Sequence, residues 1–324
     1  HEKFDTSLVH EARFQLELQS EIHRAVELCS LSTSEQGGAS RFFLVRANYI
    51  LGLRGRTEER EGRTLPEFRD IFFQGGMVTA DLNLETLTKH PLNHRHIAIV
   101  SHRWLKPGQA FDSAKTERLQ NLLAENPHIE LVWIDWSSMP QGKSSDGEKR
   151  YFKLILPIVN ILYSTLTVII MVDQQYIGRF WTQLECFLAL RLISEDGLVA
   201  AAPEDRGSRC LFIEMGASEG TGGLAALLKG TWGPGSVKEA HDRLAQPDVQ
   251  VTNQKDKTQQ LEKLLELDER IRSLWAERSA TEEHQLDAQG VGNITMHISP
   301  LTRSGSLEEK NSRLETEFRG FHED

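Results

Sequence analysis

The stretch Leu154-Ile-Leu-Pro-Ile-Val-Asn-Ile-Leu-Tyr-Ser-Thr-Leu-Thr-Val-Ile-Ile-Met-Val172 runs nineteen residues without a charge, and its reading decides the fold. That length is enough to span a bilayer. Its texture divides it instead. Phe152, Ile155, Ile158, Val159 and Leu162 recur at the 3.6-residue spacing of a helix face, whereas residues 165–172 are β-branched and continuous, like a parallel strand buried on both faces. Pro157, Asn160 and Thr167 are also poor neighbours for lipid. The segment reads as a helix, a turn at Ser164 and a strand, with no membrane span.

Working outward, the same alternation repeats. Strands are expected at 96–101, 128–135, 165–172, 209–215 and 249–252. Helices are expected at 113–125, 148–163, 177–193, 223–229 with 237–245, and 258–275. Five βα units over residues 91–275 predict an α/β domain, a flavodoxin-like doubly wound parallel sheet of about five strands. Residues 1–90 read as an N-terminal helical extension. It has an amphipathic helix over 5–29, an apolar run at 42–53, a charge-balanced linker at 54–63 and a helix over 65–73 behind the capping signature Thr64-x-x-Glu67. Residues 276–324 turn polar and are expected to form a mostly disordered tail.

Composition narrows the function. The 324 residues hold 37 Lys+Arg against 47 Asp+Glu, a formal charge of −10, which argues against a nucleic-acid binder or a polybasic membrane binder. Cys29, Cys186 and Cys210 are too few and scattered for a disulfide framework or a zinc site. With no basic, apolar leader after His1, a cytoplasmic location is expected. The spacing Gly220-x-Gly222-x-x-Ala225 is a weak dinucleotide fingerprint, since it follows a fourth strand. His90, His94 and His96 lack a Cys or carboxylate partner for zinc, so no metal is expected.

In open α/β sheets the ligand crevice lies beyond the carboxyl ends of the strands. Three strand-end segments converge there: Ser101-His102-Arg103-Trp104, then Trp133-Ile134-Asp135-Trp136, and Arg179-Phe180-Trp181-Thr182-Gln183-Leu184-Glu185. They bring a guanidinium, several indoles and two carboxylates to one edge. Read blandly, Asp135 is a structural acceptor, His102 a pocket wall, and Glu185 a rim residue paired with Arg103 or Arg179.

These segments also carry a resemblance. Ser101-x-x-Trp104, Trp133-Ile134-Asp135 with Gln141 six residues on, Ile161-Leu162-Tyr163 and the strand at 167–172 resemble the fungal heterokaryon-incompatibility (HET) domain pattern. Ser138 stands where that pattern has Cys. Tyr176-Ile-Gly-Arg-Phe-Trp181-Thr-Gln-Leu-Glu185 resembles the third helix of Toll/interleukin-1 receptor (TIR) domains, and Ser101-His102-Arg103 resembles the end of their first strand. The likeness covers about residues 94–195 and is topological beyond Arg209. It implies a flavodoxin-like fold and an enzyme that cleaves nicotinamide from NAD+, with NAD+ a substrate and no further cofactor. It also implies Glu185 as the catalytic carboxylate, self-association, and a nucleotide-binding set drawn from Ser101, His102, Arg103, Trp104, Asp135, Trp136 and Trp181. Two alternatives stand beside it: a noncatalytic self-association or nucleotide-binding module, and a nucleoside deoxyribosyltransferase-like enzyme with a Glu nucleophile.

Overall fold

The computed structural model describes residues 6–34, 38–53, 64–89, 94–106, 111–141, 144–202, 209–216, 223–282 and 296–297. In chain order its first elements are α1 (Thr6–Ser34), β1 (Ser40–Arg46), α2 (Ala47–Gly52), α3 (Phe68–Phe73), β2 (Met77–Leu82), α4 (Leu84–Lys89), β3 (Ile97–His102), α5 (Ser113–Glu125) and β4 (Leu131–Trp133). There follow α6 (Asp135–Ser138), α7 (Asp146–Ile155), α8 (Asn160–Thr165), β5 (Thr167–Val172), a 3-10 turn (Tyr176–Gly178), α9 (Phe180–Ala189), β6 (Arg191–Ser194) and β7 (Gly197–Ala200). The last are β8 (Cys210–Glu214), α10 (Gly223–Trp232), α11 (Val237–Leu244), α12 (Gln254–Glu282) and β9 (Met296–His297).

The main sheet has the order β8-β5-β3-β4-β1-β2-β9. Its first four strands are parallel. Taken in chain order they stand 2-1-3-4, the flavodoxin-like arrangement. Every residue of β3 and β5 is buried, as expected where helices cover both faces.

Three expectations are corrected here. Residues 1–90 are not a purely helical extension, because β1 and β2 pair antiparallel and β1 pairs with β4. Phe42, Phe43, Leu44 and Val45 enter the same core as β3 and β5. Short apolar runs of this kind carry no period that separates strand from helix. In β1 and β2, Arg41 lies directly opposite Asp81 and donates to both its carboxylate oxygens at 2.7 and 2.8 Å, which supports the register. Second, 249–252 is not a fifth parallel strand. Gln250 makes only an isolated bridge to Arg179, accepting from the Phe180 N–H at 2.8 Å and so fixing the start of α9.

Third, the helix expected over 177–193 ends at Ala189, and the chain turns into the hairpin β6–β7. Gly197 sits there at φ 91°, and a Cβ at that position would come within 2.4 Å of Asp268 Oδ1. That carboxylate accepts from the Leu198 N–H at 2.7 Å, clasping the hairpin to α12.

Smaller differences have local causes. The helix expected over 148–163 is split into α7 and α8 around Pro157, whose ring cannot continue the helix. Ser145 and Glu148 form a reciprocal capping box that starts α7 two residues early. The helix expected from 65 begins at Phe68 with Glu67 as its N-cap, and α12 runs on to Glu282. Residues 296–297 pair with β2, whereas the rest of the expected tail and the linker at 54–63 lie outside the described residues.

Arg209 shows how the helices are locked to the sheet. Its guanidinium donates to the carbonyls of Tyr163 and Leu166 at the end of α8, and of Leu188, Ala189 and Arg191 at the end of α9. Helix C-termini present orphan carbonyls and partial negative charge, so one half-buried cation satisfies both ends. Arg209→Met is expected to cost about 2–3 kcal/mol in chemical denaturation, because the carbonyls lose a charged donor that water cannot replace.

Candidate functional site

From β3 the chain runs to β4 on one side of the sheet and from β5 to β8 on the other, so the topological switch lies at the carboxyl ends of β3 and β5. Ser101 and His102 end β3, Asp173 follows β5, and α9 lays Glu185 against the same edge. Successive strand residues point to opposite faces, so Ser101 and His102 meet different partners. Each meets a carboxyl group.

On one face, the Ser101 hydroxyl donates to Glu185 Oε2 at 2.6 Å and lies 2.6 Å from the Tyr176 hydroxyl. Tyr163 stands beside them, its hydroxyl shared between Glu185 and the Val100 carbonyl at 3.3 Å. Glu185 is half-buried, and among the described residues no ion pair involves it. Burial pushes its carboxyl up to about 8, with a further push from the charge of Asp135, against the hydrogen bonds of Ser101 and Tyr163. A carboxyl at this height is mostly neutral at pH 7.

On the other face, His102 Nε2 donates to Asp135 Oδ1 at 2.9 Å, and the Trp104 indole donates to Asp135 Oδ2 at 2.6 Å. The Trp136 N–H adds a third donor at 2.6 Å. Burial alone would raise this carboxyl, but the His102 imidazole and the two tryptophan donors outweigh it and hold Asp135 below the ordinary range. Asp135 is therefore an ionised acceptor that orders a histidine, the Trp104 indole and the Trp136 backbone, while the Trp136 indole donates to the Leu65 carbonyl at 3.2 Å. The Trp104 and Trp136 rings meet edge to face at 5.5 Å, and the His102 ring lies 4.5 Å from that of Phe111.

Arg103 spends its fork inside the chain. Its Nε and one terminal nitrogen donate to Asp173, the latter at 2.7 Å, and its other terminal nitrogen donates to the Trp104 carbonyl at 2.9 Å. The ammonium of Lys115 donates to the Arg103 carbonyl. Burial lowers Lys115 to about 8, with the neighbouring Arg103 charge adding to the effect. A diphosphate at this edge has to displace Asp173 before it reaches Arg103.

The structure thus places seven of the eight sequence-predicted residues in three linked clusters: Ser101 with Glu185; His102, Trp104, Asp135 and Trp136; and Arg103 beside Trp104. Trp181 is half-buried and stacks edge to face with Phe180 at 5.8 Å, without a hydrogen bond or ring contact to the other seven among the described residues. Sequence reasoning missed Asp173, Tyr176, Tyr163 and Lys115 as members. Asp173 carried a usable signal, because it is the first residue after a switch-point strand.

The glycine fingerprint at 220–222 lies outside the described residues. A separate cleft of about 160 Å³ is lined by Phe42, Leu82, Leu87, Ile158, Ile161 and Arg270 among others. It is mostly apolar, with Ser40, Asn83, Glu85 and Arg270 as its polar positions, and none of its lining residues lies at the carboxyl ends of β3 and β5. No helix among the described residues is long and apolar enough to cross a membrane. Comparison of the chain with protein-family models, with curated proteins and with solved structures finds no match.

Proposed function

We propose that this chain is an NAD+-cleaving enzyme of TIR/HET type, a signalling or defence enzyme that releases nicotinamide, with Glu185 as its catalytic carboxylate. One observation carries the reading: Glu185 is a half-buried carboxyl at the topological switch of a flavodoxin-like sheet, tethered through one oxygen to Ser101 and facing no cation among the described residues. The motif likeness around Ser101 and Glu185 points the same way.

The reaction suits a single carboxylate. The electrons of the ribose C1′–N bond pass to the nicotinamide ring, which leaves neutral and needs no proton from a general acid. Positive charge develops at the ribose, where a carboxylate stabilises it, and water then adds to C1′ and loses a proton to give ADP-ribose. The raised carboxyl of Glu185 fits this substrate. A cationic ring beside it favours ionisation, so the negative charge arises where the positive charge binds.

The engaged fork of Arg103 favours a second reading, in which the same edge serves noncatalytic self-association or nucleotide binding. Nicotinamide release separates the two. Concentrated protein incubated with NAD+ is expected to yield nicotinamide and ADP-ribose in equal amounts, with Asp173 giving way to the diphosphate. No release, even under crowding that promotes self-association, sinks the enzyme reading in favour of the module.

A further inference from the structure

Proton counting around Glu185 leads beyond its identity as a carboxylate. Ser101 Oγ stands 2.6 Å from both Glu185 Oε2 and the Tyr176 hydroxyl, yet it owns one proton. If Ser101 donates to Glu185, Tyr176 must donate to Ser101. The reverse direction, Glu185 to Ser101 to Tyr176, leaves the phenol proton without an acceptor. Tyr176 is fully buried, and its hydroxyl has no other hydrogen-bond partner among the described residues. An orphaned donor of this kind is costly where water cannot reach it.

We infer that Tyr176 is a positioning residue for Glu185, acting through Ser101: the two hydroxyls form a one-way chain that keeps Oε2 an acceptor. The inference rests on the reading of Glu185 as the catalytic carboxylate.

The backbone holds Tyr176 for this task. Its N–H donates to Asp173 Oδ1 at 2.8 Å, and its carbonyl accepts from Thr182 Oγ1 at 2.6 Å. Thr182 and Glu185 share α9, so the helix that carries the carboxyl also clamps the residue that orients it. The other titratable groups around the chain are Tyr163 from α8, Cys186 from α9, Cys210 from β8 and Asp135 beyond β4. Burial raises both tyrosines and Cys186 well above their ordinary values, so they stay neutral through the physiological range. Asp135 is ionised there and pushes Glu185 upward.

Tyr176→Phe tests the chain, since the ring that fills the core is kept and only the hydroxyl is lost. Ser101 can then accept a proton from Oε2, the neutral acid is favoured, and Glu185 ionises at a pH higher by about half to one unit. Cleavage of NAD+ at pH 7 is expected to fall about 3- to 10-fold in kcat/KM, with the alkaline plateau within about twofold of wild type. Ser101→Ala shifts the midpoint upward as well, and Ser101→Thr, which keeps the hydroxyl, restores it. The carbon NMR titration of labelled glutamate carboxyls, with Glu185→Gln identifying the signal, reads the same midpoint without catalysis. An unshifted midpoint in Tyr176→Phe overturns the positioning role. If NAD+ is not cleaved by any version, the proposed function falls, and the NMR titration still decides the chain.

Discussion

Glu185→Gln is expected to lower nicotinamide release from NAD+ by about three orders of magnitude or more, with far-UV circular dichroism unchanged. The size follows from where the charge acts. The carboxylate lies in a half-buried site among Ser101, Tyr163 and Tyr176, where electrostatic stabilisation of a developing cation is worth far more than in water. Glutamine keeps the shape and still accepts from Ser101 through its amide oxygen, but cannot carry the charge. The loss therefore falls on kcat, and KM for NAD+ changes little, because the interaction removed is strongest in the transition state. A variant that retained more than about a tenth of the rate would move catalysis away from this carboxylate. Asp135 would then be the next carboxylate to test, as it is ionised and one-third exposed on the other face of β3.

The central strands β3 and β5 were legible in the sequence because they are buried on both faces and read as unbroken apolar runs. The run 96–101 became Ile97–His102, and 165–172 became Thr167–Val172. Helix α5 matched its expected bounds, with Asp112 accepting from the Lys115 N–H as its N-cap. The segments Ser40–Arg46 and Met77–Leu82 were not legible as strands. They are short, and what makes them strands is their pairing with each other and with β4, which no local period encodes.

The site divides in the same way. That Ser101 and Glu185 would share an edge followed from topology, since both lie at strand ends of a switch point. That Arg103 would turn to Asp173 and not to Glu185 depends on side-chain direction across two adjacent strands. His102 pairs in register with Met171, so Arg103 and Asp173 leave β3 and β5 side by side and their opposite charges meet. The three-hydroxyl neighbourhood of Glu185 draws on α8, β3 and the turn at Tyr176–Gly178, which only the folded chain brings together.

The same substitution, Glu185→Gln, is expected to stabilise the protein, by an amount that depends on pH. An unfolded glutamate titrates near its ordinary value of 4.5, whereas burial lifts the folded Glu185 to about 8. Below pH 4.5 the group is neutral in both states and folding carries no penalty. Between pH 4.5 and about 8 the folded state holds a proton that the unfolded state has lost, so wild-type stability falls as pH rises. Above about 8 the full cost of burying the charge is present. At about 1.4 kcal/mol per unit, the span corresponds to roughly 5 kcal/mol of stability that the neutral amide keeps and the acid loses. Urea denaturation of the two proteins is therefore expected to give curves that coincide near pH 4.5 and separate steadily to about pH 8. Equal stabilities at both ends would mean that Glu185 ionises normally in the fold. Under the proposed function, a half-buried carboxyl that weakens the fold at neutral pH, with no cation beside it among the described residues, is the cost of holding a site for a cationic substrate.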